Sequence, residues 1–394
     1  MARLRLTLLA ALVGVVSTPV RAEPATLRAA FDDDFLIGVA VGRAVVGGAD
    51  ARSAALAARQ FSALTAENDM KWQSLHPQPE RYDFRAADAY VEFGKTHGMV
   101  VIGHTLVWHS QTPGWVFQGE HGQPATRELL LQRMRDHIQT VVGRYRGKIK
   151  GWDVVNEALS DGGPESLRDS SWCRIIGADF IEQAFRFAHE ADPKAELYYN
   201  DYGLENPRKR RNAVTLLRGL IQRGVPIHGV GIQGHYDLLH PAISEIEQTF
   251  GEFEELGLKV IITELDVDVL PSRGATGIAD IARHEQGDSS LDPYTAGLPE
   301  AVQQQLARRY GELFDAFLRH RKSLTRVTFW GLDDGHTWLN GFPIRGRTNH
   351  PLLFDRSQDP KPAFDTVLRK GGQPASVPSD STHNHPATKL PYPG

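Results

Sequence analysis

Lys259-Val260-Ile261-Ile262-Thr263-Glu264-Leu265-Asp266-Val267-Asp268 decides the fold, because a run rich in β-branched residues ends there in carboxylates. Such a run reads as a strand covered on both faces, the habit of parallel sheets. Working outward, seven more runs of similar character predict strands at 36–41, 63–67, 100–108, 149–156, 195–201, 229–236 and 326–332. Amphipathic stretches lie between them. Residues 50–61 open on Asp50 as an N-cap, and 127–145 place Leu130, Met134, Ile138 and Val141 on one face. Residues 206–223 start with Asn-Pro, a cap and a first-turn proline. Eight strand-and-helix units predict an α/β fold, a closed (β/α)8 barrel with a single catalytic domain over 23–370.

A barrel of this kind presents its chemistry where the strands end, and seven of the eight ends carry polar or aromatic residues. The second strand ends in Glu67-Asn68 with Lys71-Trp72 just beyond, the third carries His104, Trp108 and Gln111, and the fourth ends in Asn156-Glu157. The fifth gives Asn200-Asp201-Tyr202, the sixth Gln233 and His235, the seventh Glu264 and Asp266, and the eighth Trp330 with Trp338 in the following loop. Glu157 and Glu264 each follow an apolar run, so both are partly desolvated, which raises a carboxyl pKa. Glu264 and Asp266 share a strand face, and His235 on the neighbouring strand is placed to hold both. That arrangement keeps Glu264 ionised and leaves Glu157 as the group that stays protonated, the division of labour of a two-carboxylate glycosidase. Trp108, Trp330, Trp338 and Tyr202 offer flat apolar faces to the CH-rich faces of sugars. Trp152 and Trp172 read as core residues.

Composition narrows the classes further. With 44 Lys+Arg against 48 Asp+Glu, the chain has a net charge of −4 and no basic surplus for nucleic acid or anionic lipid. The Arg208-Lys209-Arg210-Arg211 run reads as a solvated helix face. One cysteine, Cys173, excludes an intramolecular disulfide and a CxxC redox site, and reads as buried filler. Arg3 and Arg5 precede the apolar stretch 6–16, and Val20-Arg21-Ala22 supplies small residues for cleavage, so residues 1–22 read as a secretory signal and not a membrane span. The protein is therefore expected to be exported, secreted or periplasmic. Residues 270–298 form a long connection expected to shape a cleft, and 371–394 read as a flexible tail whose His383 and His385 are solvated and bind no metal. No metal and no cofactor are expected. His104 and His109 are five apart, which on a regular strand puts them on opposite faces.

The motifs themselves resemble those of a known family. Residues 65–72 (TAENDMKW), 103–111 (GHTLVWHSQ), 152–158 (WDVVNEA), 199–202 (YNDY), 231–236 (GIQGHY), 262–266 (ITELD), 351–355 (PLLFD) and 360–364 (PKPAF) are similar to those of the endo-β-1,4-xylanases of glycoside hydrolase family 10, in the family's order and spacing. The resemblance implies a (β/α)8 barrel that hydrolyses internal β-1,4-xylosidic bonds with retention, acting on xylan and xylo-oligosaccharides. Separately, a monomer is expected. The resemblance makes Glu157 the general acid/base, Glu264 the nucleophile, and Asn156 the partner of the 2-hydroxyl at the reacting subsite. It places His104, Trp108, Gln233 and His235 around that subsite and Glu67, Asn68 and Lys71 around the next one on the non-reducing side. It puts Tyr202 at the first leaving-group subsite, and Trp330 and Trp338 as a wall above. Two departures stand out: Gly203 where the family often has Asn, and a polar loop at 333–338 carrying His336. Three rivals share parts of this pattern, namely a β-1,4-glucanase, a silent carbohydrate-binding barrel and a metal-dependent barrel hydrolase. Trp330 and Trp338 beside the subsite favour a pentose over a hexose, and the presence of both carboxylates disfavours a silent barrel.

Overall fold

The eight runs become strands in a computed structural model that describes residues 26–271, 281, 286–287 and 289–371. They are β1 (Leu36–Val41), β2 (Ala63–Ala66), β3 (Val100–Trp108), β4 (Gly151–Asn156), β5 (Glu196–Asp201), β6 (Gly229–Ile232), β7 (His235–Asp237), β8 (Lys259–Asp268) and β9 (Leu324–Phe329). All pairings among these strands are parallel. The order runs β6-β5-β4-β3-β2-β1-β9-β8, and pairing of β6 with β8 closes the ring. The (β/α)8 barrel is therefore present, with its sixth strand in two pieces.

The break lies at Gln233-Gly234, where Gly234 has φ +83° and a Cβ would come within 3.1 Å of Ile262. A residue with a side chain resists that backbone, so glycine is what lets the sixth strand bend. Beyond it, β7 pairs with the far end of β8, with His235 opposite Asp266. The eighth barrel strand ends at Phe329, earlier than the sequence pattern suggests, because Gly331 at φ +129° turns the chain over the barrel mouth.

Helices cover the outside, and their starts are those the sequence encodes. Asp50 Oδ1 accepts from the Ser53 amide at 3.0 Å, and Asn206 Oδ1 accepts from the Arg208 amide at 3.0 Å, so both caps satisfy amides the helix leaves free. The helix Arg127–Arg144 buries Leu130, Met134, Ile138 and Val141 completely. Each such side chain contributes about 1.5–3 kcal/mol of burial. Trp152 and Trp172 are core residues as expected. Cys173 is half-buried instead of fully buried, packed against the core from the short helix Ser171–Ile176.

The basic run departs most from expectation. Lys209 and Arg210 are buried, while Arg208 and Arg211 face solvent. Arg210 Nε reaches Glu252 at 2.9 Å and Lys209 Nζ reaches Asp161 and Asp201 at 2.9 Å each, so the helix hides two cations that have carboxylate partners. The stretches read as a signal, 1–22, and as a tail, from 372 onward with His383 and His385, lie outside the described residues, as does most of the 270–288 half of the long connection. Of the rest of that connection, Leu291 packs inward and the Tyr294 carbonyl accepts from His350 at 3.1 Å. Among the described residues no helix is long and apolar enough to cross a membrane.

Candidate active site

The C-terminal strand ends bring the expected residues into one network. Glu264, on β8, accepts from Asn200 Nδ2 at 2.9 Å on one oxygen and from His235 Nε2 at 3.3 Å on the other. His235 donates its second proton, on Nδ1, to Asp266 at 3.0 Å, so one imidazole does hold both carboxylates. Trp338 Nε1 donates to the same Asp266 oxygen at 2.7 Å, and its ring lies 4.7 Å from that of His235. The tryptophan wall is thereby tied to the cluster around Glu264.

Glu157 follows β4 and sits in a different setting. Trp108 Nε1 donates to its Oε2 at 2.8 Å, and Gln233 Nε2 donates to its Oε1 at 2.9 Å, with Asn156 Nδ2 at 3.3 Å. Trp108 and Gln233 therefore touch the carboxylate itself as well as lining the space beside it. Asn156 Oδ1 in turn accepts from Asn200 at 2.9 Å, which makes Asn200 a bridge between the two glutamates' surroundings. Thr263 Oγ1 fixes Asn200 from the other side at 2.7 Å. The sequence names Asn200 among the strand-end polar residues but assigns it no role; its bridging position becomes visible only here.

The backbone at Glu157 is unusual. Its φ is +57°, a left-handed conformation that costs a residue with a Cβ about 1–2 kcal/mol. Its amide donates to the Asn200 carbonyl at 2.9 Å and its own carbonyl accepts from Arg168 Nε at 3.0 Å. Strain of this kind persists where neighbours hold it, and it gathers at sites of chemistry.

Burial acts on both glutamates, with opposite outcomes. At Glu157, burial reinforced by the charges of Asp201 and Glu264 pushes the carboxyl up to about 7, against its donors Gln233 and Trp108. At Glu264, burial alone would raise the pKa, yet the hydrogen bond from His235 and the nearby His104, His235 and Lys71 hold it below the ordinary value. For His235, burial disfavours the cation, but Asp266 and Glu264 win and raise it to about 10. The imidazole is thus a buried cation at neutral pH.

The remaining predicted residues surround this pair. His104 Nδ1 bonds Asp153 at 3.0 Å and its ring meets Trp330 edge-on at 5.2 Å. Lys71 Nζ donates to Asn68 at 3.1 Å and to Gln111 at 2.9 Å, and lies 4.9 Å from the Trp108 ring. Burial lowers the pKa of Lys71 and raises that of Glu67. A cavity of about 280 Å³ lies beside Glu67, walled by Val41, Gly42, His336 and Trp338. Tyr202 is on the opposite side, its hydroxyl donating to Asp161 at 2.6 Å and accepting from Arg168 at 2.7 Å. Gly203 has φ +60°, a conformation that Gly and Asn share, so the departure from Asn removes a side chain and keeps the backbone.

His109 corrects the alternation argument. It lies one residue past β3, whose register shifts between His104 and Val107, and its Nδ1 comes within 3.9 Å of Glu157. It is thus near the site and not turned away from it. Among the described residues no group of three or more His, Cys, Asp or Glu side chains is placed to hold a metal ion.

Comparison with known proteins returns one answer. The family model for glycosyl hydrolase family 10 matches residues 26–370. An endo-1,4-beta-xylanase of Geobacillus stearothermophilus is 44% identical over 344 residues, covering 87% of this chain and 98% of the relative. Among solved structures, a GH10 endoxylanase retrieved from a sugarcane soil metagenome superposes with a TM-score of 0.85 at 48% identity, over 87% of this chain and 99% of the other. A mutant structure in complex with xylotriose aligns at TM-score 0.79 and 37% identity, over 88% and 99% of the two chains.

Proposed function

The chain belongs to glycosyl hydrolase family 10, and on that premise we propose how its residues divide the work. It is an endo-1,4-β-xylanase that hydrolyses internal β-1,4-xylosidic bonds of xylan with retention of configuration, through a two-glutamate double displacement. In the proposed first step the Glu264 carboxylate attacks the anomeric carbon. The bond to the leaving oxygen breaks as Glu157 gives that oxygen its proton, and a glycosyl ester forms on Glu264. In the second step Glu157, now ionised, takes a proton from water, which attacks the same carbon and frees Glu264. Retention requires carboxyl groups about 5–5.5 Å apart.

One observation carries this division: His235, shared by Glu264 and Asp266 at 3.3 and 3.0 Å, gives the Glu264 carboxylate a cationic hydrogen-bond donor, whereas Trp108, Gln233 and Asn156, which donate to the Glu157 carboxylate, are neutral. Asn156 is proposed to hold the 2-hydroxyl, where a bond can tighten as the oxocarbenium-like transition state forms. His104, Trp108, Gln233 and His235 would frame the reacting sugar, while Glu67, Asn68, Lys71 and Gln111 would hold the next one, with Trp330 and Trp338 above. Tyr202 would meet the first leaving-group sugar. We also propose that the protein acts outside the cytoplasm, exported by residues 1–22, and as a monomer. Xylan is too large to enter a cell intact, which supports export.

The test is Glu264→Ala, assayed on xylan and carboxymethylcellulose. The native chain should favour xylan strongly, and the variant should lose hydrolysis by several orders of magnitude while still binding xylotriose. Substantial residual turnover would remove Glu264 as nucleophile, and equal rates on both polymers would favour the glucanase.

A further inference from the structure

We infer that Arg168 and Lys209 are positioning residues, which clamp the left-handed turn at Glu157 and so aim its carboxyl at the leaving oxygen. This rests on Glu157 being the acid/base. The chain leaves β4 at Glu157, loops out, and returns through a bridge between Leu159 and Leu167 that delivers Arg168 to its own starting point. There the Arg168 amide donates to the Ala158 carbonyl at 2.8 Å and its Nε to the Glu157 carbonyl at 3.0 Å. The far end of the same guanidinium, Nη2, donates to Tyr202 at 2.7 Å and to Asp161 at 3.1 Å.

Lys209 anchors this loop to the rest of the fold. It lies on the helix Pro207–Gln222, and its Nζ bridges Asp161 on the loop and Asp201 on β5 at 2.9 Å each, 3.7 Å from the centre of the Tyr202 ring. Asp201 is fully buried and also accepts from Tyr199 at 2.6 Å, from the Tyr202 amide at 2.9 Å and from the Leu159 amide at 3.3 Å. The result is a closed chain of contacts from Glu157 through Arg168, Asp161, Lys209 and Asp201 to Tyr202 and back to Arg168. Buried ion pairs are a poor source of stability, because desolvation consumes most of their attraction, and in some proteins what they supply is a single fixed geometry. Geometry is what a general acid needs, since a displacement of about 1 Å can cost on the order of a hundredfold in rate.

The test separates aiming from simple loss of structure or of sugar contacts. Aryl β-xylobiosides with leaving groups graded from dinitrophenol to phenol carry no sugar on the leaving side, and only the poorer leaving groups need a proton. Arg168→Lys and Lys209→Met should leave kcat/KM for the dinitrophenyl substrate nearly unchanged, and lower it for the phenyl substrate by about tenfold to a hundredfold. A loss equal across the series would overturn the proposal, as would no loss at all. Glu157→Ala is run in parallel. If it too loses equally across the series, the acid/base reading has failed; if it discriminates and the other two do not, only the clamp has failed. Should Lys209→Met show no cooperative thermal unfolding, Arg168→Lys decides alone, since it keeps the charge and loses the fork.

Discussion

Glu157 and Glu264 are the same residue at almost the same depth, 3% and 5% exposed, yet their carboxyls move in opposite directions. Burial pushes both upward. At Glu264 the push is reversed by a histidine that is itself held as a cation by Asp266. Around Glu157 the carboxylate's donors Trp108 and Gln233 are neutral, and burial together with the like charges of Asp201 and Glu264 outweighs them, even with His109 at 3.9 Å. Depth does not decide which of the two carboxyls keeps its proton. The sign of the neighbours does, and the neighbours come from different strands.

The largest effect should follow from removing the cation. His235→Asn takes away the hydrogen bond and the positive charge that hold Glu264 down, so burial should then dominate and raise its pKa. With Glu264 as the proposed nucleophile, activity needs it ionised, hence the acid limb of kcat/KM should move toward higher pH by about one to two units, as expected for loss of an opposite charge at contact. The alkaline limb, which the proposed mechanism assigns to Glu157, should move far less. If both limbs shift together, the two glutamates are not independently tuned and the comparison breaks.

A smaller effect sharpens the other half. Glu157 has a folded-state pKa of about 7 against an ordinary 4.5, so it binds its proton more tightly folded than unfolded. A raised folded pKa contributes its stability below the unfolded value, and that contribution is lost as pH rises through the folded one. Over that window the native chain should lose roughly 3 kcal/mol relative to Glu157→Gln, which does not titrate. Urea unfolding should therefore show the variant gaining on the native chain from about pH 4 to about pH 8. A constant difference would mean that Glu157 is not lifted.

The sequence made the barrel legible because a two-sided parallel strand leaves a continuous β-branched run, and the ends of β1, β3 and β8 fall where such runs predict. The strand-end polar residues were legible for the same reason. Hidden were the features set by contacts distant in sequence. The bend at Gly234 depends on packing against Ile262, and the burial of Lys209 depends on Asp161, 48 residues away. A run of four basic residues looks solvated when read alone. Asn200 went unassigned because its partners, Asn156, Thr263 and Glu264, come from β4 and β8. His109 was misplaced because strand alternation fails past the end of a strand whose register has shifted.

The most direct test of the central claim is a carbon NMR titration of the two glutamate carboxyls in the free enzyme, assigned with Glu157→Gln and Glu264→Gln. Glu157 should titrate at about 7 and Glu264 below 4.5. If Glu264 titrates above Glu157, or both sit at the ordinary value, the neighbours do not divide the roles and the account is wrong.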